Sequence, residues 1–256
     1  MEEKEILMLG KFDAGKTTYW TTAIAQINKG LNGHRLHIMD ANDRMVQKQN
    51  VKKIKKGHSV GNTRLVNKTA IQVQEKTGLI GGWKSQPDWP IFVVTDTPGG
   101  LTEEAFLSES ASADITQNLE IFHSLFESYA SEESDTSPSG VIMLFSCADF
   151  LGTLRDDEKL ELMTNQLNTL VDAIAHLKES RGIATHIVFS MHDRVHETIK
   201  AKVAEIISER NKDVPFAFVN STDVKGDTDD WSCGKTFVYV IRNILENDGI
   251  QIDGIN

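Results

Sequence analysis

The sequence predicts an α/β fold of three layers, in which a mostly parallel sheet carries helices on both faces. Segments with apolar residues at three- and four-residue spacing, typical of amphipathic helices, alternate with short apolar runs of strand type. Such alternation indicates βαβ units, and a strand that is continuously apolar is expected to be buried on both faces. The clearest apolar runs lie at residues 6–9, 91–95, 141–145 and 184–189.

Further elements fit the same alternation along nearly the whole chain. Helical spacing is expected at 19–28, 106–129, 158–177, 195–210 and 237–245, a further strand at 214–219, and an alternating segment at 64–74. Two inserted loops interrupt the pattern near 76–90 and 130–140. The first mixes Gly, Pro and Trp and is expected to form a hairpin tip, and the second is polar. With 256 residues and 39% hydrophobic content, the chain fits one large domain covering 1–256.

Composition argues against several classes of function. The formal net charge is −10, whereas broad nucleic-acid binding needs surplus Lys and Arg, so no nucleic-acid partner is expected. The dense basic run at 51–57 is interpreted as a solvated helix face. A signal-peptide pattern and a run of about 18 apolar residues are both lacking, and the two cysteines show no metal-ligand spacing. We therefore expect a cytoplasmic protein without membrane insertion.

A glycine-rich loop follows the first predicted strand. Its sequence, Gly10-Lys-Phe-Asp-Ala-Gly15-Lys16-Thr17-Thr18, fits the pattern G-x-x-x-x-G-K-[ST] between a strand and a helix. The glycines permit turns closed to other residues, and backbone N–H groups at the helix N-terminus can surround phosphate oxygens. Lys16 should reach the β and γ phosphates, and Thr17 should offer a hydroxyl to Mg²⁺. The predicted phosphate-binding residues here are Gly10, Phe12, Asp13, Ala14, Gly15, Lys16, Thr17 and Thr18.

Two carboxylates are relevant to ligand binding at this loop, for different reasons. Asp13 lies inside a loop that must receive anions, so it either points away or lowers the affinity of the loop. Asp96 follows the apolar run at 91–95, and ligands of open α/β sheets bind at the carboxyl ends of the strands. Because Asp96-Thr-Pro-Gly99 is also favourable turn chemistry, a plain turn stays an alternative interpretation.

Four motifs in order resemble those of Ras-like (TRAFAC-class) GTPases, and the resemblance spans residues 5–246. The motifs are Gly10 to Thr17, Asp96-Thr-Pro-Gly99, Ser190-Met-His-Asp193 and Asn220-Ser-Thr222. The resemblance implies a three-layer P-loop NTPase G domain that binds GTP or GDP with Mg²⁺. It also implies that the Gly99 N–H contacts the γ-phosphate and that a switch threonine meets the metal. Thr63 is our choice for that threonine and Thr69 is the alternative, so the implied metal ligands are Thr17, Thr63 and Asp96.

The third motif departs from the family form Asn/Thr-Lys-x-Asp, because Ser190 and Met191 occupy its first two positions. Asp193 is retained, and the resemblance implies that its carboxylate accepts two hydrogen bonds from guanine. Met191 can cover the base with an apolar stem but lacks the hydrogen bond that the usual lysine makes to the phosphate loop. Ser221 and Thr222 would bring a backbone N–H near the guanine carbonyl. An ordinary turn with Asp193 as a helix N-cap stays the alternative.

The position that carries a water-orienting Gln in many Ras-like enzymes is Gly100 in this chain. Since glycine has no side chain to orient water, the resemblance implies a GTP hydrolase with weak intrinsic activity, whose turnover needs Glu103, Glu104 or a group from a protein partner. The implied catalytic positions are thus Lys16 and Gly100. A P-loop ATPase or kinase and a nucleotide-binding scaffold without hydrolysis stay open as alternatives.

The phosphate loop and the basic segment before Thr63 look most like the bacterial double-GTPase proteins of conflict or defence systems. The Ras-like resemblance implies a molecular switch whose partner is a protein effector or activator.

Overall fold

The computed structural model describes residues 2–11, 13–29, 33–58, 60, 66–77, 82–97, 123–124, 126, 138–190, 195–224 and 231–250. The strands in this part are β1 (Glu3–Gly10), β2 (His34–Ile38), β3 (Asn67–Lys76), β4 (Trp83–Ser85), β5 (Ile91–Asp96), β6 (Gly140–Ser146), β7 (Ala184–Ser190) and β8 (Phe216–Phe218). The helices are α1 (Lys16–Ile27), α2 (Ala41–Lys55), α3 (Asp157–Arg181), α4 (Glu197–Arg210) and α5 (Ser232–Asn247), with short 3₁₀ turns at Cys147–Phe150 and Thr153–Arg155.

The strands form one sheet in the order β2-β3-β5-β1-β6-β7-β8, and β4 pairs with β3. Strands β5, β1, β6, β7 and β8 run parallel to one another, so their carboxyl ends share one edge of the sheet. Strand β3 runs antiparallel to β2, β4 and β5. Residues 78–90 therefore connect two antiparallel strands, as expected of a hairpin.

Both faces of the sheet are buried, which explains why its central strands are continuously apolar. On one face, Ile6 and Met8 of β1 pack with α1 and α5. On the other face, Leu7 and Leu9 pack with α3 and α4. Successive side chains of a strand point to opposite faces, so one apolar run supplies both cores. The predicted class, a mostly parallel sheet between two layers of helices, is confirmed.

Two elements, β2 and α2, were not predicted as a strand and a helix by the sequence analysis. Strand β2 lies at an edge of the sheet, where it pairs with β3. Helix α2 begins after Asp40, whose side chain accepts hydrogen bonds from the N–H groups of Asn42 and Asp43. The basic run at 51–57 falls at the end of this helix and is largely exposed, in agreement with a solvated helix face.

Other boundaries shift by a few residues. Strand β8 is shorter than the run at 214–219 suggests, and α5 starts five residues before 237 at Ser232. Most of the helix expected at 106–129 and of the loop near 130–140 lies outside the described residues. The assignment of 1–256 to one domain stays a prediction. None of the helices in the described ranges is long and apolar enough to cross a membrane.

Candidate functional site

The glycine-rich loop lies at the carboxyl end of β1 and leads directly into α1. Gly10 ends β1 with a φ of 154°, and a Cβ at this position would stand 2.5 Å from the carbonyl oxygen of Leu144 on β6. Gly15 has a φ of 82° and caps α1 without any side-chain hydrogen bond. The first turn of α1 therefore presents backbone N–H groups that no side chain of the N-cap covers, which is the arrangement that binds phosphate.

Lys16 is the first residue of α1, and its side chain folds back over the loop. Its ammonium donates to the carbonyl oxygens of Gly10 at 2.8 Å and Lys11 at 3.0 Å. The residue is only 7% exposed. A buried lysine held against loop carbonyls brings a full positive charge to the place where the N–H groups of α1 converge.

Thr17 follows Lys16 and contacts the end of β5. Its hydroxyl donates to Oδ2 of Asp96 at 2.7 Å, and Asp96 is 4% exposed. The two side chains are separated by 79 positions in sequence, and the parallel pairing of β1 with β5 brings them together. Hydroxyl and carboxylate oxygens are the hard ligands that Mg²⁺ prefers, so this pair fits such an ion.

Other side chains of the loop point outward or pair with a neighbour. Asp13 is exposed and has a φ of 62°, a left-handed conformation that aspartate tolerates better than most residues. Thr18 is half-buried on α1. The ammonium of Lys11 lies 3.7 Å from Asp149 Oδ1. Burial raises the pKa of the Asp149 carboxyl, and Lys11 opposes that rise. The charge of Lys11 is thus partly directed away from the loop.

Ser190, the first residue of the predicted guanine motif, joins β7 to the phosphate loop. Its hydroxyl lies 2.7 Å from the Ala14 carbonyl oxygen, to which it donates, and 3.2 Å from that of Phe145. Ser190 is fully buried. Its side chain therefore anchors the loop to the end of β7. Its predicted contact with a guanine base stays a prediction.

The loop after β8 contains the other predicted base-binding residues. The side chain of Asn220 accepts from the Thr222 N–H at 3.1 Å and from the Thr222 hydroxyl at 2.7 Å. Ser221 is 5% exposed, and its hydroxyl has no hydrogen-bond partner among the described residues. The Thr222 N–H already has an acceptor within the loop, and the contact of Ser221 and Thr222 with a guanine base stays a prediction.

Three polar side chains on one face of α1 connect this helix to the loop after β8 and to α5. Thr22 donates its hydroxyl to the carbonyl oxygen of Ser221. Gln26 donates to the Asp223 carbonyl oxygen at 2.9 Å and accepts from the Gly234 N–H of α5 at 2.7 Å. Tyr19 bonds Thr236 of α5 through their hydroxyls at 2.8 Å. The sequence analysis did not predict these contacts, although the three- and four-residue spacing of Tyr19, Thr22 and Gln26 on α1 was an available signal.

We expect Thr22→Val to lower the free energy of unfolding by about 1–3 kcal/mol, because it leaves the buried Ser221 carbonyl without its donor. Thr169→Val on α3 is the matched control, since Thr169 is also fully buried but its hydroxyl bonds Asn165 within the same helix. The Asn165 carbonyl keeps its helical N–H partner in that variant. Urea denaturation measures both changes, and equal losses would contradict the role of Thr22 in joining two elements.

Several predicted site residues lie outside the described residues: Phe12, Thr63, Gly99, Gly100, Glu103, Glu104, Met191 and Asp193. Thr69, the alternative switch threonine, lies on β3 opposite Val94 of β5. It lines a cleft of about 160 Å³ that also contains Thr17 and Asp96. Residues of α2 form the opposite side of this cleft, so α2 adjoins the candidate metal ligands.

The chain matches no protein-family model and no curated protein. Among solved structures, it is similar to a bacterial selenocysteine-specific elongation factor, EF-Sec, with a TM-score of 0.40 and 13% identity over 96% of this chain and 29% of that chain. It is also similar to the GTPase-like domain of S. cerevisiae Ski7, bound to GDP and inorganic phosphate, with a TM-score of 0.45 and 15% identity over 98% of this chain and 51% of that chain. This chain thus spans about half or less of either neighbour. Likenesses of this size do not establish a shared activity, and the double-GTPase assignment stays a prediction.

Proposed function

We propose that this chain is a P-loop GTP-binding protein that binds GTP and GDP with Mg²⁺ and hydrolyses GTP slowly. In this proposal it acts as a molecular switch, and a protein partner assists turnover. The observation that carries the proposal is the hydrogen bond of 2.7 Å between Thr17 and Asp96, formed beside a lysine that caps the phosphate loop. A glycine-rich turn without a ligand would need neither the buried carboxylate nor the buried ammonium.

The charges of this region favour a bound polyphosphate. The Lys16 ammonium and the N–H groups of α1 would neutralise phosphate oxygens on one side. Thr17 and Asp96 would hold Mg²⁺, which when bound offsets the remaining negative charge of the phosphates.

The base is proposed to bind between the segment after β7 and the loop after β8. Ser190 ends β7 while bonded to Ala14, so residues 191–193 follow directly from a strand anchored to the phosphate loop. Ser221, in the loop after β8, is proposed to lie on the other side of the base. The preference for guanine over adenine rests on Asp193, whose carboxylate would accept both the ring N–H and the amino group of guanine.

Slow hydrolysis follows from the residue type at position 100. Phosphoryl transfer requires an oriented water and stabilisation of the charge that spreads over the γ-phosphate, and Gly100 offers a side chain for neither task. An arginine or equivalent group supplied by a partner contributes about 10³–10⁵ in rate in such reactions. We therefore propose that turnover depends on a protein activator.

The base assignment is tested by calorimetric titration of the protein with GTP, GDP and ATP, each with Mg²⁺, and by the same titrations on Asp193→Asn. We expect GTP and GDP to bind at least about 100-fold more tightly than ATP, since two charged hydrogen bonds contribute roughly 3–6 kcal/mol. Asp193→Asn should reduce this ratio and raise the relative affinity for xanthosine triphosphate. Equal affinities of the wild-type protein for GTP and ATP would favour the ATPase alternative.

A further inference from the structure

Helix α2 carries a concentrated positive charge on a chain that is acidic as a whole. Residues 41–56 contain six of the 27 Lys and Arg but one of the 37 Asp and Glu. Ile54 is the one residue of this helix that is buried, so most of the helix faces solvent. One side of the helix forms a wall of the cleft and contacts α1, and the opposite side is exposed to solvent.

Among the described residues, the lysines of α2 are not paired with carboxylates, in contrast to several lysines on other helices. Lys159, Lys200 and Lys202 each form an ion pair with a carboxylate on their own helix or at its N-cap. Within the described part of the chain, no ion pair involves Lys48, Lys52, Lys53, Lys55 or Lys56. The positive potential of α2 is therefore not cancelled locally and is available to an anionic partner.

Apolar side chains are exposed among these lysines. Met45 is 54% exposed, and Lys48, Lys52 and Lys56 follow it at three- and four-residue spacing, on the same side of the helix. Met39, just before α2, and Val46 are also exposed. Methionine adapts to differently shaped partners, so Met45 can contact apolar side chains of a bound segment.

A groove between α2 and β2 extends this surface. It has a volume of about 250 Å³, and the described residues that line it include Arg35, Arg44 and Lys48 but no Asp or Glu. Arg44 is fixed there because its guanidinium donates to the carbonyl oxygens of Ile38 at 2.6 Å and Met39 at 2.7 Å. The groove therefore offers an ordered cation at one end of the exposed apolar residues.

We infer that the outer face of α2, together with the groove between α2 and β2, is the docking surface for an acidic segment of a partner protein that also carries apolar side chains. Carboxylates of the segment would pair with Arg44, Lys48 and Lys52, while its apolar side chains would cover Met45. A nucleic acid fits less well, because it has no apolar side chains to cover Met45 and the rest of this chain repels it.

The same helix connects this surface to the candidate nucleotide site. Gln47 lines both the groove and the cleft that contains Thr17 and Asp96, and its side chain donates to the Thr21 carbonyl oxygen of α1 at 3.0 Å. A segment bound against Arg44 and Lys48 would thus favour one position of α2 relative to α1. This coupling rests on the proposed function, whereas the docking itself does not require nucleotide.

The docking surface is tested with a synthetic peptide that repeats Glu-Glu-Leu, measured by fluorescence anisotropy against the nucleotide-free protein. A poly-glutamate peptide and a single-stranded oligonucleotide are the competing probes. We expect the Glu-Glu-Leu peptide to bind most tightly, and the combined substitutions Lys48→Glu, Lys52→Glu and Lys56→Glu to weaken it roughly tenfold or more. Lys159→Glu, Lys212→Glu and Lys235→Glu, at exposed positions outside α2, form the control with the same change in net charge.

Met45→Ser provides a second variant that leaves the charge unchanged, and it should weaken the Glu-Glu-Leu peptide while leaving poly-glutamate unaffected. Three results would overturn the inference. The control triple variant could lose as much peptide affinity as the α2 variant, poly-glutamate or the oligonucleotide could bind as tightly as the Glu-Glu-Leu peptide, or no probe could bind. The same titrations with Lys16→Ala separate the two proposals. Peptide binding that survives in a variant unable to bind GTP supports docking alone, and GTP binding without peptide binding supports the nucleotide site alone.

Discussion

Lys16→Ala is expected to weaken GTP and GDP binding by about 10²–10⁴-fold while leaving the fold intact. The substitution removes an ammonium that would donate to β and γ phosphate oxygens, and hydrogen bonds to charged groups contribute roughly 1.5–3 kcal/mol each. Lys16 is held by two loop carbonyls, Gly10 and Lys11, so the charge is already oriented before a ligand arrives. Isothermal titration calorimetry with Mg²⁺ present measures the change.

Lys11→Ala is the matched control in the same loop. The Lys11 ammonium lies near Asp149 and not over the loop, so its removal should change nucleotide affinity by less than about tenfold. Thermal unfolding of both variants without nucleotide checks that the fold is retained. An unchanged affinity in Lys16→Ala, or the same loss in both variants, would contradict the assignment of the phosphate site.

The layers of the fold could be predicted because its central strands are buried on both faces. Strands β1, β6 and β7 are recognisable from local sequence, since each apolar run must supply side chains to two cores. Helices α3 and α4 show apolar residues at regular spacing because one side of each packs on the sheet. For these elements, the local pattern and the tertiary environment agree.

Strand β2 and helix α2 could not be predicted in the same way. Strand β2 lies at an edge and alternates buried and half-buried positions over only five residues, and two of its three buried positions are Leu36 and Ile38. Helix α2 buries Ile54 alone, so it has no apolar period that would reveal it. Its start is marked instead by the Asp40 cap, a signal that becomes convincing only when the following residues are known to be helical.

The candidate site likewise has one part that could be predicted from the sequence and one part that could not. The phosphate loop is local in sequence, and its turns, lysine and threonine follow from one short motif. The hydrogen bonds that hold it in place join residues far apart in sequence. Ser190 and Ala14 are 176 positions apart, and Gln26 and Gly234 are 208 positions apart. Such contacts depend on how strands and helices pack, and the sequence around a single serine or glutamine does not indicate its distant partner.

Gly10→Ala should lower the free energy of unfolding by about 2–6 kcal/mol, the largest loss of stability expected for a single methyl group in this loop. Two costs add: an L-residue at a φ of 154° is strained by roughly 1–3 kcal/mol, and overpacking contributes roughly 1–3 kcal/mol more. The added Cβ would stand 2.5 Å from the Leu144 carbonyl oxygen. That oxygen belongs to the backbone of β6, which pairs with Gly10 in the sheet and cannot rotate away as a side chain would.

Gly57→Ala separates the two costs. Gly57 also has a positive φ, 74°, but a Cβ there would meet no atom within 4 Å. It should therefore lose only about 1–2 kcal/mol, the cost of a left-handed conformation. Urea denaturation of the nucleotide-free proteins compares the variants without a contribution from bound ligand, which would otherwise add to the stability of any variant that still binds. If Gly10→Ala loses no more stability than Gly57→Ala, the backbone of β1 does not approach β6 as closely as described. In that case glycine at position 10 would serve the approach of phosphate alone, and its substitution would reduce nucleotide affinity without reducing stability.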